Sequence, residues 1–245
     1  MKYKIRYDLK EEFQGRTIYR IQALRDIPEI GVKEGYIGGF VSNEHNLSQE
    51  GNCWIFKDAK CLDNAKMFNN STMYDNSKMY DNSRMYDNSK MYDNSEMYDN
   101  SKMFDNSKMF GNTKMYDNSA MFSNSEMYHN SEMYDNSKMY GNSRMFDNSR
   151  MFNNSKLTDY AELTRYSKLV LDMEVSKTND VIFHKFKHDI TIADNKISIG
   201  CKSYKSYKDF LENYLNDGKQ NGYSDYDLKY LKSLVRNGLV YLKNK

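Results

Sequence analysis

Ser77-Lys78-Met79-Tyr80-Asp81-Asn82 is followed by Ser83-Arg84-Met85-Tyr86-Asp87-Asn88, then by Ser89-Lys90-Met91-Tyr92-Asp93-Asn94. From Met67 to Met151 a methionine returns at every sixth residue, fifteen times, each followed directly by Phe or Tyr. A period of six matches neither the 3.6-residue α-helix nor the seven-residue coiled coil. It suits short parallel strands stacked on one another and joined by tight corners. Period-two alternation puts Ser77 and Met79 on the inside and Lys78 and Tyr80 on the outside. Asp81-Asn82 then forms the corner, where Asn tolerates a left-handed backbone better than any residue except Gly.

The apolar column continues backward in sixes to Cys61 and Ile55, and forward to Leu157, Leu163, Leu169, Val175 and Val181. A column of small residues lies two places earlier: Cys53, Ala59 and Ala65, then Ser71, Ser77 and their successors, ending in Ala161 and Ser167. The composition is polar and Asn-rich, but an apolar residue in every unit of a strict repeat argues against disorder.

In Met79 with Ser83 and Met85 with Ser89, a large apolar residue precedes a small one by four places, and the pattern covers about half the chain. In this the chain resembles the hexapeptide-repeat, left-handed parallel β-helix family. The resemblance implies a mainly β fold with three flat faces and about 18 residues per coil. The departure is methionine where the family has Leu, Ile or Val, which makes a softer core. Seven coils at ~4.8 Å would build a rod of roughly 35 Å. A flatter coil of about twelve residues is the alternative.

Open ends of a stacked rod invite further strands, so the flanks are expected to cap it. Residues 1–52 read as a small N-terminal β cap with a strand over Thr17-Ile18-Tyr19-Arg20-Ile21-Gln22-Ala23-Leu24. The lead-in segment is Gly38-Gly39-Phe40-Val41, then Asn46-Leu47-Ser48, then Gly51-Asn52-Cys53-Trp54-Ile55. It resembles that of poorly characterised phage- and bacterium-encoded hexapeptide β-helix proteins, which implies a mobile-element setting and no particular reaction. The repeat is assigned to 53–182. Beyond it, 183–245 reads as a β-hairpin (Ile190-Thr191-Ile192 and Ile197-Ser198-Ile199) and two helices. Ser206 caps the first helix, which carries Phe210, Leu211, Tyr214 and Leu215 on one stripe and Gly218 near its end. Ser224 and Asp227 form a capping box for the second, with Leu228, Leu231 and Val235 inward. The expected role of this module is to pack its stripe on the last coil.

Formal charge is +2 over 245 residues, so no global field directs the chain to nucleic acid or membrane. Cys53, Cys61 and Cys201 form no disulfide framework, and Met1-Lys2-Tyr3-Lys4-Ile5-Arg6 lacks a signal-peptide core. The expectation is a cytoplasmic protein.

With three faces, residues eighteen apart stack. Face one carries Lys66, Arg84, Lys102, Ala120, Lys138 and Lys156, interleaved with Phe68, Tyr86, Phe104, Phe122 and Tyr140. Face two carries Lys78, Glu96, Lys114, Glu132 and Arg150, an alternation that attracts between coils. Face three carries Thr72, Lys90, Lys108, Glu126 and Arg144, and both of these faces have an aromatic column as well, Tyr80 to Phe152 on face two and Tyr74 to Phe146 on face three. Face one has no acid in this column up to Lys156, and its corners lose Asp toward Ser123 and Gly141. Its aromatic row is longer than the usual exposed apolar patch. The candidate binding residues are therefore Lys66, Phe68, Arg84, Tyr86, Lys102, Phe104, Ala120, Phe122, Ser123, Lys138, Tyr140 and Gly141. Stabilising ladders and recent duplication of one hexapeptide are the competing explanation of the same columns.

Many hexapeptide β-helices are acyltransferases that bind coenzyme A and use a histidine base. Here His129 replaces one corner Asp without an inserted loop to shelter it, so no catalytic residue is assigned. His184 and His188 have metal-pair spacing only on a helix, while Val181-Ile182-Phe183 reads as strand, and no metal or cofactor is expected. The Asp column lacks the Gly-rich, multi-oxygen pattern of calcium rolls, and Asp and Asn are expected to hydrogen-bond within their turns. The functional expectation is a non-enzymatic, phage- or prophage-encoded scaffold that self-associates and binds or sequesters a host component, such as one of an antiviral system. A coenzyme A-dependent acyltransferase and a nucleic-acid or nucleotide binder are the alternatives.

Overall fold

The computed structural model describes residues 1–163, 167–170, 173–176, 181–185, 189–193, 196–200 and 202–243. The N-terminal region contains β1 (Tyr3–Phe13), β2 (Arg16–Ala23) and β3 (Ile37–Val41). Two-residue strands β4 to β24 then recur every sixth residue, from Trp54–Ile55 to Glu174–Val175. Strands β25 (Val181–Lys185), β26 (Asp189–Ala193), β27 (Lys196–Ile199) and β28 (Lys202–Tyr204) precede helices α1 (Tyr207–Gln220) and α2 (Asp225–Lys243).

Strands pair in parallel with partners eighteen residues away, as in Lys78↔Glu96 and Met79↔Met97. This register excludes the twelve-residue coil. The result is a three-sided parallel β-solenoid of about seven turns, each side contributing seven rungs among the described residues. Met67 through Met151, Leu157, Leu163, Leu169 and Val175 are fully buried in one continuous core, with the small column buried beside them. Val181 departs from the expected column: it opens β25 of a separate antiparallel sheet and pairs with Ala193.

Most corners close with a backbone bond such as Ser83 N–H to the Tyr80 carbonyl at 3.2 Å. The left-handed residue is the first of the corner pair, Asp81 at φ 56°, and not Asn82 as expected. Gly111 and Gly141 occupy this same place, at φ 73° and 68°. The side-chain bonds also run along the rod and not within the turn. Asp81 Oδ2 accepts the Asp99 N–H at 3.4 Å, and Asn88 Nδ2 donates to Asn106 Oδ1 at 3.2 Å. Stacked corners bring like residues of successive coils into closer register than their own turn neighbours, so Asp clamps the next coil and Asn builds an amide ladder.

β1 and β2 form an antiparallel hairpin, β2 pairs with β3, and β3 joins the rod in parallel through Phe40↔Lys60. The face-two sheet is thereby extended to ten strands. The lead-in glycines are needed for close packing: a Cβ on Gly39 would lie 2.4 Å from Ile55 Cγ2 and 2.5 Å from the Ala59 carbonyl oxygen. Asn46, fully buried, accepts from the Ser42 and Asn43 N–H groups and donates to the Asp63 and Ala65 carbonyls. Lys2 is also buried, and its ammonium donates to the Cys53 carbonyl at 2.9 Å, which satisfies the mouth of the first coil. The N-terminal unit also covers outer surface: Phe13, Ile18 and Phe40 pack with Leu62, Tyr80 and Tyr98 of face two.

The C-terminal hairpin is the centre of a four-stranded antiparallel sheet, β25-β26-β27-β28. Ser206 and the Ser224–Asp227 box cap the helices as expected, with bonds of 2.7–3.2 Å. Among the described residues, the helical stripe packs on this sheet and not, as was expected of it, on the last coil. Phe210, Tyr214, Leu228, Leu231 and Val235 bury against Ile190, Ile192, Ile197 and Ile199, while Leu211 and Leu215 stay exposed. Ala193 of this sheet belongs to the rod's core. Among the described residues no helix is long and apolar enough to cross a membrane.

Candidate binding face

Face one is assembled as the spacing implies. Lys66, Arg84, Lys102, Ala120 and Lys138 are consecutive Cα partners in one parallel sheet. Their neighbours Phe68, Tyr86, Phe104, Phe122 and Tyr140 stack face to face, with centroids 4.9–5.1 Å apart and planes within 10°. Stacking half-buries every ring, so the row does not form the broad exposed apolar patch that the sequence suggested. Equivalent ladders run along face two (Tyr80-Tyr98-Tyr116-Tyr134-Phe152) and face three (Tyr74-Tyr92-Phe110-Tyr128-Phe146). A feature shared by all faces is structural, and it does not single out face one.

Charge pairing does single it out. On face two, Lys78 and Lys114 both reach Glu96, at 3.0 and 3.3 Å, and Arg150 reaches Glu132 at 2.7 Å. On face three, Lys108 and Arg144 both reach Glu126, at 3.2 and 3.4 Å. Each of these glutamates also accepts the phenol two places on: Tyr98, Tyr134 and Tyr128 donate at 2.7, 2.7 and 2.6 Å. Burial, and then the carboxylates they bond, push these tyrosine hydroxyls above their ordinary range. Burial alone would raise Glu96 and Glu126. The phenols and the paired cations outweigh it and hold both carboxyls below their ordinary value.

Face one has no such arrangement until its last described rungs, where Lys156 meets Glu174 at 3.4 Å. Among the described residues, Lys66, Arg84, Lys102 and Lys138 make no ion pair; Arg84 only donates to the Tyr86 hydroxyl at 3.5 Å. Ser123 and Gly141 sit at corners with φ of 60° and 68°. A Cβ on Gly141 would lie 2.9 Å from Asp159 backbone atoms, so this glycine serves the close approach of the next corner. The alternation on face two was readable from sequence. The bridge on face three and the Glu–Tyr bonds were missed, although Glu96, Glu126 and Glu132 are each followed two places on by Tyr.

His129 stays at an exposed corner, its Nδ1 3.5 Å from Asp147 Oδ1. His45 is exposed, His184 lies in strand β25, and His188 and Cys201 lie outside the described residues. Among the described residues no three His, Cys, Asp or Glu side chains converge as a metal-binding group. Comparison with protein-family models and with curated proteins gave no match to this chain.

Proposed function

We propose that the protein is a non-enzymatic interaction scaffold whose face one docks acidic segments of a partner protein. The observation that carries this reading is the contrast between faces: among the described residues most cations of faces two and three are neutralised in place, Lys90 excepted, whereas Lys66, Arg84, Lys102 and Lys138 of face one make no ion pair. Faces two and three also demonstrate that a carboxylate packs well within such a column, which favours acidic side chains over a continuous phosphate backbone. Asp81, Asp99 and Asp117 rim face one on one side and would repel such a backbone. A second copy laid face to face would set cation column against cation column, so an acidic partner takes precedence over self-pairing through this face. The resemblance of the lead-in segment supplies the setting: a phage- or prophage-encoded protein that sequesters a component of its host's cytoplasm, as an anti-defence factor would.

Fluorescence anisotropy with a labelled decaglutamate peptide tests the reading. The wild-type protein should bind with an affinity that falls as salt rises. Changing Lys66, Arg84, Lys102 and Lys138 together to Ala should weaken binding at least about ten-fold, a cost of roughly 1.4 kcal/mol. Tighter binding of an oligothymidylate than of the peptide would assign face one to nucleic acid instead.

A further inference from the structure

Faces two and three each contain a carboxylate held between cations one coil on either side. Lys78–Glu96–Lys114 and Lys108–Glu126–Arg144 have the same geometry, and side-chain exposure of the central Glu is 14% and 15%. Face one repeats the outer members of this triad in register: Lys102, Ala120 and Lys138 are successive partners. The central place is taken by Ala120, itself only 6% exposed. The adjacent corner carries Ser123 where Asp is usual, so no carboxylate lies in either column at this coil. Two strand spacings separate the lysine Cα atoms, about 10 Å, the span across which Glu96 is bridged.

We infer that the place above Ala120 is a slot for one glutamate side chain of the docked partner, an assignment that rests on the reading of face one as a docking surface. The carboxylate would sit between the Lys102 and Lys138 ammonium groups. Its methylenes would lie on the Ala120 methyl and beside the Phe122 ring. In the internal triads a tyrosine hydroxyl supplies a third partner to the carboxylate, and Phe122 has none. The incoming group is therefore held by two cations alone, which suits a contact that forms and releases.

The decaglutamate peptide is again the probe. Ala120→Glu should fill the slot from within and lower affinity about ten-fold, while raising the thermal midpoint by giving both lysines an internal partner. Ser123→Asp adds the same charge on the same coil, at a corner where the fold already favours Asp, and should change affinity by no more than about two-fold. A second pair of variants requires no new packing. Lys102→Ala with Lys138→Ala should cost clearly more affinity than Lys66→Ala with Arg84→Ala. Equal losses within either comparison, or wild-type binding by Ala120→Glu, would overturn the slot. If the four-cation variant loses binding while these comparisons come out equal, the slot fails and the docking face stands. If the wild-type protein ignores the peptide, both fall.

Discussion

At the scale of single residues, the rod's interior contains hydroxyls in two different situations. Ser71 and Ser77 donate to the Phe68 and Tyr74 carbonyls at 2.8 Å. From Ser83 to Ser155 the corresponding hydroxyls face the core without a hydrogen-bond partner. A buried unpaired hydroxyl costs stability, whereas a bonded one contributes about 1 kcal/mol. Ser107→Ala should therefore stabilise the protein by about 1 kcal/mol and Ser77→Ala should destabilise it by about as much, as read from urea denaturation midpoints. The charged outer residues give a pH signature. Glu96 ionises below its ordinary value of 4.5, so its contribution is fully present above that pH and is lost as pH falls through the lower, folded value. The stability gap between wild type and Glu96→Gln should be constant near neutrality and should close below about pH 4.5. A gap that persists at pH 2.5 would show that the carboxylate's charge is not what stabilises the triad. The corner residue is a case where sequence could have said more. Gly111 and Gly141 stand at the Asp position and never at the Asn position, and glycine marks the left-handed residue.

At the scale of elements, stability comes from repetition. Each strand is two residues long and could not exist alone; it persists because identical strands lie above and below it. The methionine column fills the space between three sheets with an unbranched, adaptable chain. Met109→Leu should cost less than about 1.5 kcal/mol, while Met109→Ala should cost about 2–5 kcal/mol by leaving a cavity. At the N-terminal junction, Gly39→Ala should be more damaging than its size suggests, because its Cβ has nowhere to go between Ile55 and Ala59. Denaturation of the full chain measures both. These elements also show where sequence reading stops. The solenoid strands were legible because every hexad restates the same alternation. β1 was not, because Lys4-Ile5-Arg6-Tyr7-Asp8-Leu9-Lys10-Glu11-Glu12 carries charge on both sides and has a register shift between Arg6 and Lys10. Its strand character is imposed by β2. In α1, Phe210 and Leu211 are equivalent as apolar residues. The four-stranded sheet and α2 together select Phe210, Tyr214 and Gly218, spaced by four, and leave Leu211 and Leu215 to solvent.

At the scale of the whole molecule, a nearly neutral chain has sorted its charge. The N-terminal unit lies over the first coils of face two, and Tyr36 contacts Trp54 and Phe56 at the start of face three. Faces two and three neutralise most of their cations internally, whereas face one leaves four unpaired over an aromatic ladder. Sequence spacing placed ten of the candidate residues on this face and Ser123 and Gly141 at its corners. What spacing could not show is which cations find acids, because that depends on side-chain reach between coils. The aromatic ladder common to every face, in contrast, followed from the Phe or Tyr behind each methionine. If binding belongs to the unpaired column, the three faces must respond differently when each is stripped of its cations. Three variants, each with the cations of one face changed to Ala, should be titrated with the same decaglutamate peptide at low salt. Only the face-one variant should lose binding, while the face-two and face-three variants lose stability and keep their affinity. Equal affinity losses in all three variants, or none in the face-one variant, would contradict the assignment of binding to face one.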